Sequence, residues 1–94
     1  MHAVVRTYSG QGASELFDEL ARREEDVKTL IGGVDGFVSY SAVRNGEGGV
    51  TTTVCEDQAG TDESSRRAAA WVAENVNVAV DAPAIVEGDT VLQF

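Results

Sequence analysis

The sequence predicts an α+β fold of order β-α-β-β-α-β, a four-stranded antiparallel sheet carrying both helices on one face. Three observations predict it. The stretch from Gly36 to Asp57 reads as two β-runs around the glycine-rich Asn45-Gly46-Glu47-Gly48-Gly49. An amphipathic helical segment lies before it and another after it. Short β-type runs stand near both ends of the chain.

The first run, residues 2–8, combines β-branched and aromatic residues and stops at Ser9-Gly10-Gln11-Gly12, so it reads as a strand. From Leu16 to Ile31 the apolar residues Leu16, Phe17, Leu20, Ala21, Val27, Leu30 and Ile31 recur at helical spacing, mostly separated by charged residues. One helix is expected there, with acids in its first turns, Lys28 near its end and Gly32-Gly33 stopping it.

In the central hairpin, Phe37, Ser39, Ser41 and Val43 alternate with Val38, Tyr40, Ala42 and Arg44, and Val50–Glu56 resumes the β pattern. Both faces of the hairpin are mixed, whereas a sheet backed by water separates apolar from polar. Cover on both sides is therefore expected, helices on one and a second copy of the chain on the other. A second helix starts near Thr61 as cap and ends near Asn75–Asn77, with Asp62/Arg66 and Glu63/Arg67 as acid-first i,i+4 pairs. Its apolar stripe is Ala68, Ala69, Trp71, Val72 and Val76. The segment from Ala82 to Phe94 carries a final strand, with Glu87-Gly88-Asp89 dividing its two apolar runs by a bulge or turn.

With 94 residues the chain forms one domain, 1–94. Sixteen acidic against seven basic residues give a net charge of −9, which repels phosphate backbones and anionic membranes, so neither nucleic acid nor membrane is an expected partner. The single cysteine, Cys55, has no partner for an intramolecular disulfide, and no Cys/His spacing suggests a zinc site. With no leader-like N-terminus and no long apolar run, a cytoplasmic location is expected.

The order of elements and the run GFVSYSAVRNGEGGVTTTVCEDQAGTDESSRRAAAWVAENV resemble the dimeric α+β barrel superfamily, which is ferredoxin-like, and in particular its small members related to the antibiotic biosynthesis monooxygenase domain. The resemblance implies a homodimer whose open sheet faces pack into a barrel. It covers nearly the whole chain through architecture and one hairpin-helix block, without a catalytic motif. The superfamily includes haem-degrading enzymes, cofactor-independent oxygenases, isomerases and proteins without assigned activity, so fold alone leaves function open. Its haem-degrading members use an Asn, a Trp and a helical His that ligates iron. Here the only histidine is His2 and the matching constellation is missing, which argues against haem degradation.

Tyr40 and Arg44 share a strand face and are the first pocket candidates if that face lines the barrel. Tyr8, with Arg6 and Val4 on the first strand, forms a similar set, and Trp71 either caps a pocket or packs under the sheet with Arg67 stacked on it. The structural alternatives weigh more: Tyr40 filling the dimer core, Arg44 paired with an acid. His2 lacks a histidine partner and sits at a frayed terminus, Cys55 reads as a buried small hydrophobe, and Ser14, Ser64 and Ser65 have no base nearby. The Ser9–Gly12 turn lacks the spacing and lysine of a phosphate loop.

No catalytic residue is assigned, and no cofactor or metal is expected. The leading expectation is a homodimer that is non-catalytic or weakly binds an apolar or aromatic small molecule in the barrel. The alternative is a cofactor-independent monooxygenase or isomerase acting on an aromatic or polyketide-like metabolite.

Overall fold

The computed structural model describes residues 1–94. In chain order the elements are β1 (His2–Tyr8), α1 (Ala13–Arg22), α2 (Glu24–Gly32), β2 (Phe37–Asn45), β3 (Gly48–Cys55), α3 (Gln58–Asn75) and β4 (Ala84–Asp89). The sheet has the order β2-β3-β1-β4 with every neighbouring pair antiparallel, the ferredoxin-like α+β arrangement expected from the sequence.

The first helical segment is two helices. Arg23 leaves the helical region (φ −114°, ψ 38°) while its amide still donates to the Glu19 carbonyl at 2.9 Å. The physical reason lies in the spacing from Ala21 to Val27. Glu24 and Glu25 occupy the places where an unbroken stripe needs apolar residues, and the break re-aims Val27 and Ile31 at the sheet, where both are buried. Helix α3 also starts earlier than expected. Its cap is Asp57, whose carboxylate accepts from the Gly60 amide at 3.0 Å, and Thr61 lies inside the helix. Arg66 pairs with Glu63 at 2.7 Å rather than with Asp62, and Arg67 pairs with Glu63 at 3.0 Å as the sequence suggests.

Strand β4 runs through Glu87-Gly88-Asp89, which pair with Val4, Ala3 and His2, so this triplet belongs to the strand and does not divide it. The second apolar run, Val91–Phe94, is irregular and exposed. Between α3 and β4 the chain crosses the β1–α1 turn, where the Gln11 amide donates to Asp81 Oδ2 at 3.0 Å and the Asp81 amide to the Gln11 carbonyl at 2.9 Å. Gly12, at φ +80°, is required there, because a Cβ would overlap the Ala79 carbonyl.

The core lies between the sheet and the helices and is built from Tyr8, Ala13, Leu16, Phe17, Val27, Ile31, Trp71 and Val76. Tyr8 and Phe17 meet edge to face, with ring centroids 6.2 Å apart. Phe17 approaches the sheet so closely that a Cβ on Gly49 would stand 2.6 Å from its ring. The other sheet face presents Val5 and Val50 centrally, with Val43 and Val86 on the outer strands, and no element of the chain covers it.

Two substitutions test this packing in urea titrations. Asp57→Ala should lower stability by about 1 kcal/mol through the lost cap. Gly49→Ala should cost about 1–3 kcal/mol through overpacking against the Val43 carbonyl and the Phe17 ring. Both should move the midpoint and leave the slope unchanged.

Candidate functional site

Strand β2 alternates as its sequence suggests from Ser39 to Asn45 and departs from the pattern only at its start. A bulge at Val38 interrupts the register between Phe37, opposite Cys55, and Ser39, opposite Val54. Phe37 thereby joins Tyr40, Ala42 and Arg44 on the face under the helices, while Ser41 and Val43 turn to the open face. Tyr40 and Arg44 therefore line the space between helices and sheet. The sequence makes them pocket candidates on the condition that their face lines a barrel; here that face lies under the helices, which also removes Tyr40 from a dimer core.

That space is a cleft of about 710 Å³ between β2 and the α1–α2 pair. Phe17, Leu20, Val27, Ile31, Phe37 and Tyr40 form much of its wall, with Glu24, Lys28 and Arg44 among its polar residues. The structural alternative for Arg44 holds: Nη2 donates to Asp18 Oδ1 at 2.8 Å and to the Ser14 carbonyl at 2.7 Å, which staples β2 to α1. Further in, a cavity of about 20 Å³ is lined by Tyr8, Tyr40, Thr51 and Trp71 together with aliphatic side chains. Leu20, Val27, Ile31 and Tyr40 line both spaces. The structure thus brings Tyr8, Tyr40 and Trp71 around the inner cavity, and Tyr40 and Arg44 along the outer cleft. Trp71 packs in the core, and Arg67 donates to the Leu30 carbonyl at 2.8 Å instead of stacking on it.

Beside the inner cavity lies Arg6, only 2% exposed. Its Nη1 donates to the Thr51 and Thr53 hydroxyls at 3.3 and 3.1 Å, and Nη2 to those of Ser64 and Ser65 at 3.0 and 3.0 Å. Its Nε has no hydrogen-bond partner. The sequence pairs Arg6 with Tyr8, but nothing in the run of threonines or in Ser64-Ser65 announces that they solvate a buried cation. That information lies in the β1–β3 register, which sets Arg6 opposite Thr51.

Burial pushes the Tyr8 and Tyr40 phenols above their ordinary value, with Arg6 opposing the shift, and burial likewise raises the Cys55 thiol. Cys55 is a free, buried thiol, as its strand position suggests. His2 is not frayed: it is paired on both sides in the sheet, 7% exposed, with Nδ1 2.6 Å from Thr61 Oγ1. No group of three or more His, Cys, Asp or Glu side chains is placed to hold a metal ion. No helix is long and apolar enough to cross a membrane.

No family model and no curated protein sequence matches this chain. Solved structures do. A protein of unknown function from Nitrosomonas europaea, NE2512, is 19% identical with a TM-score of 0.69, covering 99% of this chain and 90% of its own. The haem-degrader MhuD from Mycobacterium tuberculosis, solved with two haems in its active site, is 18% identical with a TM-score of 0.62, covering 99% and 97%. SnoaB from Streptomyces nogalater, a cofactor-independent oxygenase, is 18% identical with a TM-score of 0.51, covering 99% and 92%. At these identities the likeness is one of fold, and it agrees with the superfamily resemblance drawn from the sequence.

The raised phenols and thiol set a direction for pH dependence. A raised folded-state pKa contributes stability that is complete below the unfolded value and is lost as pH rises through the folded one. Thermal melts should therefore show Tm falling from about pH 8.5 upward, where an unfolded thiol and then unfolded phenols begin to ionise. Replacing Cys55 by Ala should remove the earliest part of that decline.

Proposed function

We propose that this chain is a homodimeric small-molecule-binding protein that takes an apolar, ring-sized ligand in the cleft between α1–α2 and β2. The cleft itself carries this reading. At about 710 Å³ it falls within the several hundred to about 1,000 Å³ of small-molecule sites, and apolar walls with a few polar groups suit an aromatic molecule. The ligand belongs under the helices of one protomer, not inside a barrel between two.

The dimer is the second part of the reading. Val5, Val43, Val50 and Val86 share the uncovered sheet face, and Val43 and Val86 are 60% and 73% exposed. A self-complementary pairing of two such faces buries them, as the superfamily resemblance implies. A cytoplasmic setting remains part of the proposal.

A second reading is a cofactor-independent monooxygenase or isomerase, favoured by the fold likeness to SnoaB and by two phenols at the inner end of the cleft. Turnover separates the two readings. If the site is catalytic, Tyr40→Phe should abolish oxygen consumption or product formation while leaving the dimer intact.

For binding, Ala42→Trp fills the cleft from β2 and should weaken an aromatic fluorescent probe, 1-anilinonaphthalene, by tenfold or more; an unchanged affinity removes the cleft as the site. For assembly, sedimentation at micromolar concentration should give a dimer for the native chain and a monomer for Val43→Asp/Val86→Asp. A monomeric native chain refutes the assembly.

A further inference from the structure

Arg6 is a cation enclosed by the fold without a countercharge from the fold. No carboxylate lies within salt-bridge distance of it, and its hydrogen bonds go to four neutral hydroxyls. Hydroxyl dipoles lower the cost of a buried charge but do not cancel it. The titratable groups acting on it from the surrounding elements are Tyr8 on β1, Tyr40 on β2, Cys55 on β3 and Glu87 on β4. Helix α3 contributes only Ser64 and Ser65 to its hydrogen bonds. Burial keeps the phenols and the thiol protonated near neutral pH. Glu87 belongs to the exposed edge strand, its carboxylate 3.9 Å from His2 Nε2. The place for a negative charge is therefore left to a molecule that enters.

The geometry provides the route. Thr51, which accepts from Arg6, lines the inner cavity with Tyr8 and Tyr40, and its 20 Å³ is room for about one oxygen-sized group. Tyr40 also lines the large cleft. On a chain of net charge −9, Lys28 and Arg44 stand on this cleft against Glu24, with Asp18 tied to Arg44.

We propose that the cleft selects its ligand as an oxyanion: an apolar ring carrying one acidic hydroxyl or carboxyl, its charged oxygen directed toward Tyr8, Tyr40 and Thr51, with Arg6 as the fixed countercharge. The inference rests on the small-molecule reading of the cleft and adds the charge state that the site prefers. Arg6 acts here through the hydroxyls around it and is a specificity-determining residue, not a catalytic one.

The test uses the full-length native chain with 4-nitrophenol, whose phenolate is read by its visible absorption, and nitrobenzene as the neutral comparison. A cation within reach at intermediate effective dielectric should lower the ionisation midpoint of bound nitrophenol by about one unit or more, a roughly tenfold preference for the anion. Nitrobenzene should bind correspondingly more weakly than nitrophenolate. Arg6→Met should abolish the shift and Arg6→Lys should keep most of it. If both probes bind and the midpoint is unmoved or raised, the role of Arg6 is overturned while the cleft reading stands. If neither binds, the cleft reading fails and the inference with it. Should Arg6→Met not fold, the native midpoint decides together with Arg44→Gln: a shift abolished by that change belongs to the rim and overturns the assignment to Arg6.

Discussion

The burial of the Arg6 guanidinium between sheet and helix is the constraint around which much of this molecule is arranged. A charge at that depth needs donors matched to acceptors, and the acceptors come from two directions, Thr51 and Thr53 on β3 and Ser64 and Ser65 on α3. The first half of α3 is accordingly small and polar where it meets the sheet, with Gly60, Thr61 and Ser64 buried. Gly60 allows the approach, since a Cβ there would stand 2.7 Å from Cys55 Cβ. His2 meets Thr61 on the same seam. The interface between α3 and the two central strands is thus a polar one, and the apolar core is displaced toward α1, α2 and the end of α3.

That displacement leaves the cleft where it is. The aliphatic and aromatic side chains of α1 and α2 pack over β2 and β3, but the outer half of β2 carries only Ala42 and Arg44 toward the helices, too little to fill the space. The Arg44–Asp18 pair holds the two walls at a set distance. Such a pair, half in solvent, contributes little to stability, so its effect is on geometry. The break at Arg23 lets α2 turn inward and close the inner end with Val27 and Ile31.

The polarity of the site follows the same logic. Its inner end has two phenols and the Thr51 hydroxyl beside a buried cation, its middle is aliphatic, and its rim is charged. A molecule with a ring and one acidic oxygen matches this gradient. The opposite sheet face is simpler, with valines spaced by threonine and serine, and its chemistry is that of a surface for another sheet.

Hydrophobic periodicity by itself determined the number of strands, the antiparallel hairpin and the end of α3 near Asn75–Asn77, because these depend on neighbours close in sequence, and the order of the elements then implied helices on one side. The residue types at the site were legible as well, since Tyr8, Tyr40, Arg44 and Trp71 stand out among small residues. Which face they occupy was decided by the tertiary structure. The bulge at Val38 moves Phe37 onto the face of Tyr40 and Arg44, and that this face meets the helices is set by the β2–β3 pairing, Tyr40 opposite Thr53 and Arg44 opposite Gly49. The four hydroxyls around Arg6 likewise come from residues far apart in the chain, whereas the helix break at Arg23 and the cap at Asp57 are local features. A local pattern specifies which side chains alternate, but only the packed sheet and helices determine which of the two sides becomes the inside.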